Sequence, residues 1–99
     1  MIRGTTPTLT FNLPFSASLI KSAFITLKSY GVEIEKSLEN CKTSGQSITA
    51  TLSQEETLSL TADKRVKVQL RVLTIEDVAM ATPIYTVKAE DILKEGVIE

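Results

Sequence analysis

The stretch from Arg65 to Leu73, Arg-Val-Lys-Val-Gln-Leu-Arg-Val-Leu, decides the fold of this chain. Apolar residues stand at positions 66, 68, 70 and 72, while charged or polar residues stand at 65, 67, 69 and 71. This alternation is the two-residue period of a strand that buries only one face. Because such a strand needs a second layer to cover its apolar side, the stretch predicts a small sheet packed against another layer.

Shorter segments with the same alternation lie on both sides of this stretch. They predict strands over residues 8–13, 20–30, 32–39, 47–52 and 78–87. In the third of these, Lys36 stands where an apolar core residue is expected. Tyr30-Gly31 predicts a hairpin turn, residues 40–45 a polar loop and residues 75–77 a hairpin tip. Pro83 lacks a backbone donor, which marks the last strand as an edge or a bulge.

Two short helical turns are also predicted. Residues 53–56 read Ser-Gln-Glu-Glu, the form of a capping box in which Ser53 and Glu56 each bond an otherwise unpaired backbone donor. Residues 90–96 carry acids early, a lysine late and a terminal glycine, as a short helix prefers. We therefore expect helical turns near 53–58 and 89–95.

These elements predict the fold class. About six strands at spacings near ten residues, with almost no helix, indicate an all-β, antiparallel immunoglobulin-like β-sandwich. A chain of 99 residues suits a single domain, so residues 1–99 are expected to form one sandwich. Residues 1–6 and 96–99 are the segments where flexibility is expected.

Composition excludes several classes of partner. The net charge of −1 lacks the basic excess that phosphate-backbone binding requires, so we expect no nucleic acid partner. The apolar runs fall far short of the roughly 20 residues that span a membrane, and the first residues do not form a signal peptide. We expect a soluble protein made in the cytoplasm.

Cys41 is the one cysteine, so no intrachain disulfide can form, and we interpret it as an incidental thiol.

The chain lacks the usual residues of catalytic and metal sites. It has no histidine, which removes Ser-His-Asp and Cys-His catalysis and the commonest zinc and haem ligand. Residues 18–21 match a Ser-x-x-Lys pattern without its companion motifs, and the acids of 90–95 lack a calcium-loop spacing. No glycine-rich phosphate loop occurs. We therefore predict a protein that is not an enzyme, with no catalytic residue, cofactor or metal.

Two charged stripes form the candidate interface. They are the acids of the third predicted strand and the bases of the fifth: Glu33, Glu35, Glu39, Arg65, Lys67 and Arg71. If the two strands are neighbours, the opposite charges pair across the sheet. If the strands belong to different sheets, each stripe is available to a partner. A solvated face is the default interpretation of both stripes.

Four blocks of the sequence resemble a known family. They are residues 1–8 (Met-Ile-Arg-Gly-Thr-Thr-Pro-Thr), 11–15 (Phe-Asn-Leu-Pro-Phe), 52–58 (Leu-Ser-Gln-Glu-Glu-Thr-Leu) and 69–74 (Gln-Leu-Arg-Val-Leu-Thr). Together they resemble a family of small proteins encoded in phages and prophages of Gram-positive, Clostridia-like bacteria. The chain departs from that family at residues 75–77, where a glycine-containing hairpin is common, and in lacking a cysteine near its C-terminal turn.

The resemblance implies a function. The family layout is similar to the immunoglobulin-like modules that decorate or join phage tails and baseplates. It implies a non-enzymatic structural or assembly protein that contacts other phage structural proteins or further copies of itself. Such a protein would lie in the host cytoplasm during assembly and in the virion afterwards. The main alternative is a soluble interaction module that binds a host or phage protein during infection. Carbohydrate binding and enzymatic activity are two further alternatives.

Overall fold

The alternating stretch forms the long strand β6 (Arg65–Thr74) at the centre of a five-stranded sheet. The computed structural model describes residues 1–99. Its other strands are β1 (Thr8–Asn12), β2 (Ile20–Ser29), β3 (Val32–Ser37), β4 (Cys41–Ser44), β5 (Ser47–Thr51), β7 (Ala79–Ala81) and β8 (Tyr85–Lys88). Its one α-helix is α1 (Gln54–Leu58), and 3-10 turns cover Ala17–Leu19 and Leu38–Asn40.

The strands form two antiparallel sheets. The three-stranded sheet has the order β1-β5-β4. The five-stranded sheet has the order β3-β2-β6, and the far side of β6 pairs with β7 at one end and β8 at the other. In immunoglobulin terms, the first sheet corresponds to strands B, E and D and the second to C′, C, F and G. The predicted β-sandwich is confirmed.

The first strand of an immunoglobulin sandwich is represented here by a very short segment. Ile2 forms an isolated parallel bridge with Glu90, just beyond β8. The Arg3 amide donates to the Glu90 carbonyl at 3.0 Å, and the Glu90 amide donates to the Met1 carbonyl at 2.7 Å. The three-stranded sheet is therefore one strand narrower than a full sandwich layer, and β1 is its edge.

The core lies between the sheets and follows the predicted alternation. In β6, Val66, Val68, Leu70 and Val72 are buried against Ile25 and Leu27 of β2 and residues of the opposite sheet. Sixteen buried hydrophobic residues form one cluster: Leu13, Ala17, Ile20, Ala23, Ile25, Leu27, Ile34, Ile48, Ala50, Leu52, Leu60, Val66, Val68, Leu70, Val72 and Ala89.

The capping box also forms as predicted. The Ser53 hydroxyl accepts from the Glu56 amide at 3.1 Å, and the Glu56 carboxylate accepts from the Ser53 amide at 2.8 Å. Lys36, at the inward position of β3 that lacks an apolar residue, places its ammonium 2.7 Å from the same Glu56 carboxylate. The capped turn thus neutralises the charge that β3 directs inward.

Two segments differ from the strand predictions. Residues 40–45, predicted as a loop, contain β4, whose backbone pairs with β5 in a hairpin although its side chains show no apolar alternation. The predicted strand over 78–87 divides into β7 and β8 around Pro83. Five residues of β6 (68 to 72) face six residues of this segment (80 to 85), so the extra residue forms a bulge.

The helical turn expected near 89–95 is absent. Residues 91–99 contain only bends and irregular backbone after the bridge at Glu90. The early acids that suggested a helix serve another purpose, because Asp91 and Glu95 both bind the Arg3 guanidinium. The prediction was wrong because a long-range ion pair competes with a weak local preference.

Candidate interaction surface

Five of the six stripe residues lie on one surface, the outer face of the five-stranded sheet, whereas Glu39 lies in the 3-10 turn that follows β3. Glu33 and Glu35 extend from β3, and Arg65, Lys67 and Arg71 extend from β6. Strand β2 lies between them, so the two stripes belong to one sheet without being direct neighbours. This arrangement matches neither of the two alternatives that the sequence left open.

One pair of these charges meets across β2. The Arg71 guanidinium lies 3.4 Å from the Glu35 carboxylate, which also accepts a hydrogen bond from the Thr26 hydroxyl at 3.4 Å. Both side chains are about half exposed, so the pair contributes little to stability. Glu33, Arg65 and Lys67 take part in no salt bridge within the molecule.

The unpaired bases surround a depression at the β2–β3 hairpin. Its volume is about 360 Å³, and it is lined by Lys28, Ser29, Tyr30, Gly31, Arg65 and Lys67. Lys28 and Lys67 stand directly opposite each other on neighbouring strands, an arrangement of like charges that costs energy. Tyr30 is 70% exposed, and the Lys64 ammonium lies 5.3 Å from the centre of its ring. This end of the face is suited to an anionic surface.

An apolar depression lies at the opposite end of the same face. Its volume is about 420 Å³, and it is lined by Ser22, Phe24, Arg71, Val72, Leu73, Ala79, Met80 and Ala81. The Phe24 side chain is 37% exposed, and the Arg71 guanidinium lies 5.6 Å from the centre of its ring. An exposed aromatic ring with an arginine beside it is the pairing enriched in protein interfaces.

The face provides a contact surface without reactive groups. Its residues are aromatic, aliphatic, cationic and carboxylate side chains on regular strands, with no histidine or cysteine. Nowhere in the chain do three or more histidine, cysteine or acidic residues form a group that could hold a metal ion. The arrangement can recognise a partner by shape and charge.

Cys41 lies away from this face in a protected setting. Its thiol donates to the Ser37 carbonyl at 3.2 Å and is partly buried. Burial raises the pKa of the Cys41 thiol, and the nearby Lys36 ammonium opposes this more weakly. The thiol is therefore protonated at neutral pH, which makes it a poor nucleophile.

Arg3 makes the densest set of polar contacts in the molecule. Its guanidinium donates to the Leu60 carbonyl at 2.7 Å and to the Leu58 carbonyl at 2.9 Å, near the end of α1. It also binds Asp91, at 3.1 Å, and Glu95. Hydrogen bonding to Glu95 raises the pKa of the guanidinium, although burial opposes the shift. We call this group the Arg3 clamp, because it holds residues from both termini and from α1 together.

Sequence reasoning missed half of the outer face. Phe24, Lys28, Tyr30 and Leu73 complete the two depressions beside the predicted charges. The alternation of β2 places Phe24 and Lys28 on the side opposite the core, so that signal was present. What the sequence lacks is the order of the strands, which decides that β2 lies between the stripes.

Comparisons with known proteins add no relative. No protein-family model, curated protein or solved structure matches the chain. No helix in the structure is both long and apolar enough to cross a membrane.

Proposed function

We propose that the protein is a non-enzymatic structural or assembly protein of a phage particle, associated with the tail or baseplate, that acts through protein–protein contacts. Support for the phage setting comes from the four sequence blocks that resemble phage and prophage proteins. Support for the contact role comes from one observation. The outer face of the five-stranded sheet is uncovered and joins an apolar depression around Phe24 to a basic depression around Lys67.

The two depressions contribute differently to binding a partner. Burying Phe24 and the aliphatic residues around it removes apolar surface from water, which provides the affinity. Lys28, Arg65 and Lys67 attract an acidic surface and fix its orientation. A partner with an apolar centre and an acidic margin fits this face.

The test is whether the protein copurifies with phage particles. Particles produced from a phage that encodes the chain are separated on a density gradient, and their proteins are identified by mass spectrometry. We expect the chain in the particle fraction at a fixed ratio to the major tail proteins. Its confinement to the particle-free supernatant would refute the proposal.

A substitution on the outer face connects this result to the proposed surface. Phe24→Lys places a charge in the apolar depression and is expected to remove the chain from the particle. The matched control is Thr10→Lys, which adds the same charge at an exposed position of β1 in the other sheet. Equal incorporation of both variants would contradict a role for this face. Expression early in infection, without incorporation, would instead support the soluble interaction module.

A further inference from the structure

The two edges of the five-stranded sheet differ in charge and are complementary. Strand β3 forms one edge and has Glu33 and Glu35 on its outer face. Strand β8 forms the other edge at the end of β6 where Arg65 and Lys67 lie, and it adds Lys88. We propose that β3 of one copy pairs with β8 of the next copy, so that copies join side by side through a continuous sheet. This inference rests on the proposed function and names a second copy of the chain as one of its partners.

Strand direction favours this pairing. β3 is antiparallel to β2, β2 to β6, and β6 to β8. Strand β8 therefore runs opposite to β3. Two copies placed side by side in the same orientation bring these edges together as an antiparallel pair, which continues the pattern of the sheet.

The backbone groups needed for pairing face outward on both edges. The Ala89 amide donates to the Lys64 carbonyl, on the side of β8 that faces β6. The Lys88 carbonyl points the other way, to the open side, where it accepts from the Met1 amine. By alternation, the backbone groups of Thr86 face the open edge. On β3, the Ser37 amide donates to the Asn40 side chain and not to β2. Because backbone groups alternate along a strand, those of Glu33 and Glu35 also face the open edge.

Side chains match when the rows of the two sheets are aligned. Across one sheet, Glu33, Lys28, Lys67 and Thr86 occupy one row. Continuing that row places Glu33 of the next copy beside Thr86, two residues along β8 from Lys88 and one strand away from Lys67. The acidic edge of one copy thus meets the basic edge of the other, which brings Glu33 near Lys67, a base with no salt bridge within the molecule; Lys88, on the same edge, already pairs with Asp63.

The side of β8 that faces the core leaves two large side chains partly exposed. Tyr85 and Val87 pair with the buried Val68 and Val66, so they point toward the core side. They are nevertheless 50% and 37% exposed, because the narrow three-stranded sheet ends at β1. In the aligned arrangement, Val32 and Ile34 of the next copy stand beside them. Lys36, which also points inward from β3, is already neutralised by Glu56.

The contact joins two different edges, which fixes the kind of assembly. A head-to-tail contact of this kind produces a ring if the rotation between copies closes, and a filament if it does not. Pro83 and the Met1 to Arg3 segment bound the open edge at its two ends, so pairing is confined to β8. A short edge of this length gives a weak contact that operates at high local concentration.

The first experiment measures self-association of the purified chain by sedimentation velocity over a concentration series. We expect species larger than the monomer to increase with concentration. Two variants each block one edge: Glu33→Lys with Glu35→Lys reverses the charge of β3, and Thr86→Pro removes an outward amide from β8. Each is expected to weaken self-association by about tenfold or more while keeping the circular dichroism of the unmodified chain.

Mixing the two variants is the decisive measurement. Each retains one intact edge, so an equimolar mixture is expected to form a dimer that cannot grow further. The control, Glu76→Lys, reverses a charge at the β6–β7 turn outside both edges and is expected to assemble like the unmodified chain. A monomeric unmodified chain at all soluble concentrations, or a mixture that stays monomeric, would overturn the inference. Assembly in solution without incorporation into particles would refute the proposed function alone, whereas incorporation of a strictly monomeric chain would refute the edge pairing alone.

Discussion

At the scale of single residues, Arg3 is the polar side chain with the most contacts to lose. Its side chain is only 11% exposed, and it satisfies two carbonyls at the end of α1 as well as two carboxylates. We predict that Arg3→Ala lowers the free energy of unfolding by about 2 kcal/mol, because it leaves partly buried carbonyls without donors. Equilibrium unfolding in urea measures this change.

Two further variants separate the carbonyl contacts from the ion pairs. Glu95 is largely exposed, so Glu95→Gln should change stability by no more than about 0.5 kcal/mol. Arg3→Lys should lose most of the stability that Arg3→Ala loses, since one ammonium cannot reproduce the planar fork of donors. If Glu95→Gln cost as much as Arg3→Ala, the ion pair and not the carbonyl contacts would dominate.

The Lys36–Glu56 pair makes stability depend on pH. Burial alone would raise the pKa of Glu56, but hydrogen bonds from Lys36 and Ser53 outweigh it and lower the pKa below its ordinary value of 4.5. The carboxylate therefore stabilises the fold above pH 4.5, and this contribution is lost as the pH falls through the lowered pKa. We predict that Lys36→Met reduces this loss on acidification, because burial then acts on Glu56 with less opposition and its pKa moves back toward the ordinary value. Urea unfolding at a series of acidic pH values measures the change.

A matched lysine provides the control for this prediction. Lys28 lies on the outer face of β2, away from Glu56, so Lys28→Met should leave the acidic limb of the stability curve unchanged. Glu56→Gln should flatten that limb. An unchanged pH profile in Lys36→Met would contradict the assigned role of the pair.

At the scale of elements, the β2–β3 hairpin contains a backbone conflict. Tyr30 adopts φ of 33° and Gly31 adopts φ of 82°, the left-handed pair that a two-residue hairpin turn needs. Tyrosine is disfavoured there, whereas asparagine tolerates it. We predict that Tyr30→Asn increases the free energy of unfolding by up to about 1 kcal/mol, even with loss of the Lys64 contact. Thermal and urea unfolding test this.

The opposite substitution in the same turn serves as the control. Gly31→Ala introduces a side chain at positive φ and should be destabilising, although nothing crowds the position. A destabilised Tyr30→Asn variant would show that the ring contributes more than the turn costs. A stabilised one would indicate that Tyr30 is retained for the basic depression that it lines.

Elements whose signal lies in their own residues were predictable. The alternation of β6 and β2 and the Ser53–Glu56 cap required no distant contact, and they form as expected. β4 was missed because its pairing comes from the hairpin with β5 and not from its own side chains. The helical turn expected near 89–95 does not form because Arg3, which is distant in sequence, binds Asp91 and Glu95. The charged stripes were found from sequence, but the depressions between them depend on strand order.

At the scale of the whole molecule, the two ends of the chain are joined. The Arg3 and Glu90 amides both donate to backbone carbonyls across the bridge between the termini, and the Arg3 clamp fixes the same region. We predict that these two amides exchange with solvent about as slowly as those of β6, whereas the Lys94 amide exchanges rapidly. Hydrogen exchange followed by nuclear magnetic resonance measures all three. Rapid exchange at Arg3 and Glu90 would mean that the first residues fray, as their sequence suggested.

The bridge between Ile2 and Glu90 has a consequence for synthesis. Ile2 and Arg3 are synthesised well before Glu90, Asp91 and Glu95, the residues that hold them. The bridge cannot form until residues 90–95 have left the ribosome, so Ile2 and Arg3 stay without these partners while residues 4–89 are being made. A nascent chain in this state would depend on chaperones, and its yield should fall when synthesis outruns their supply.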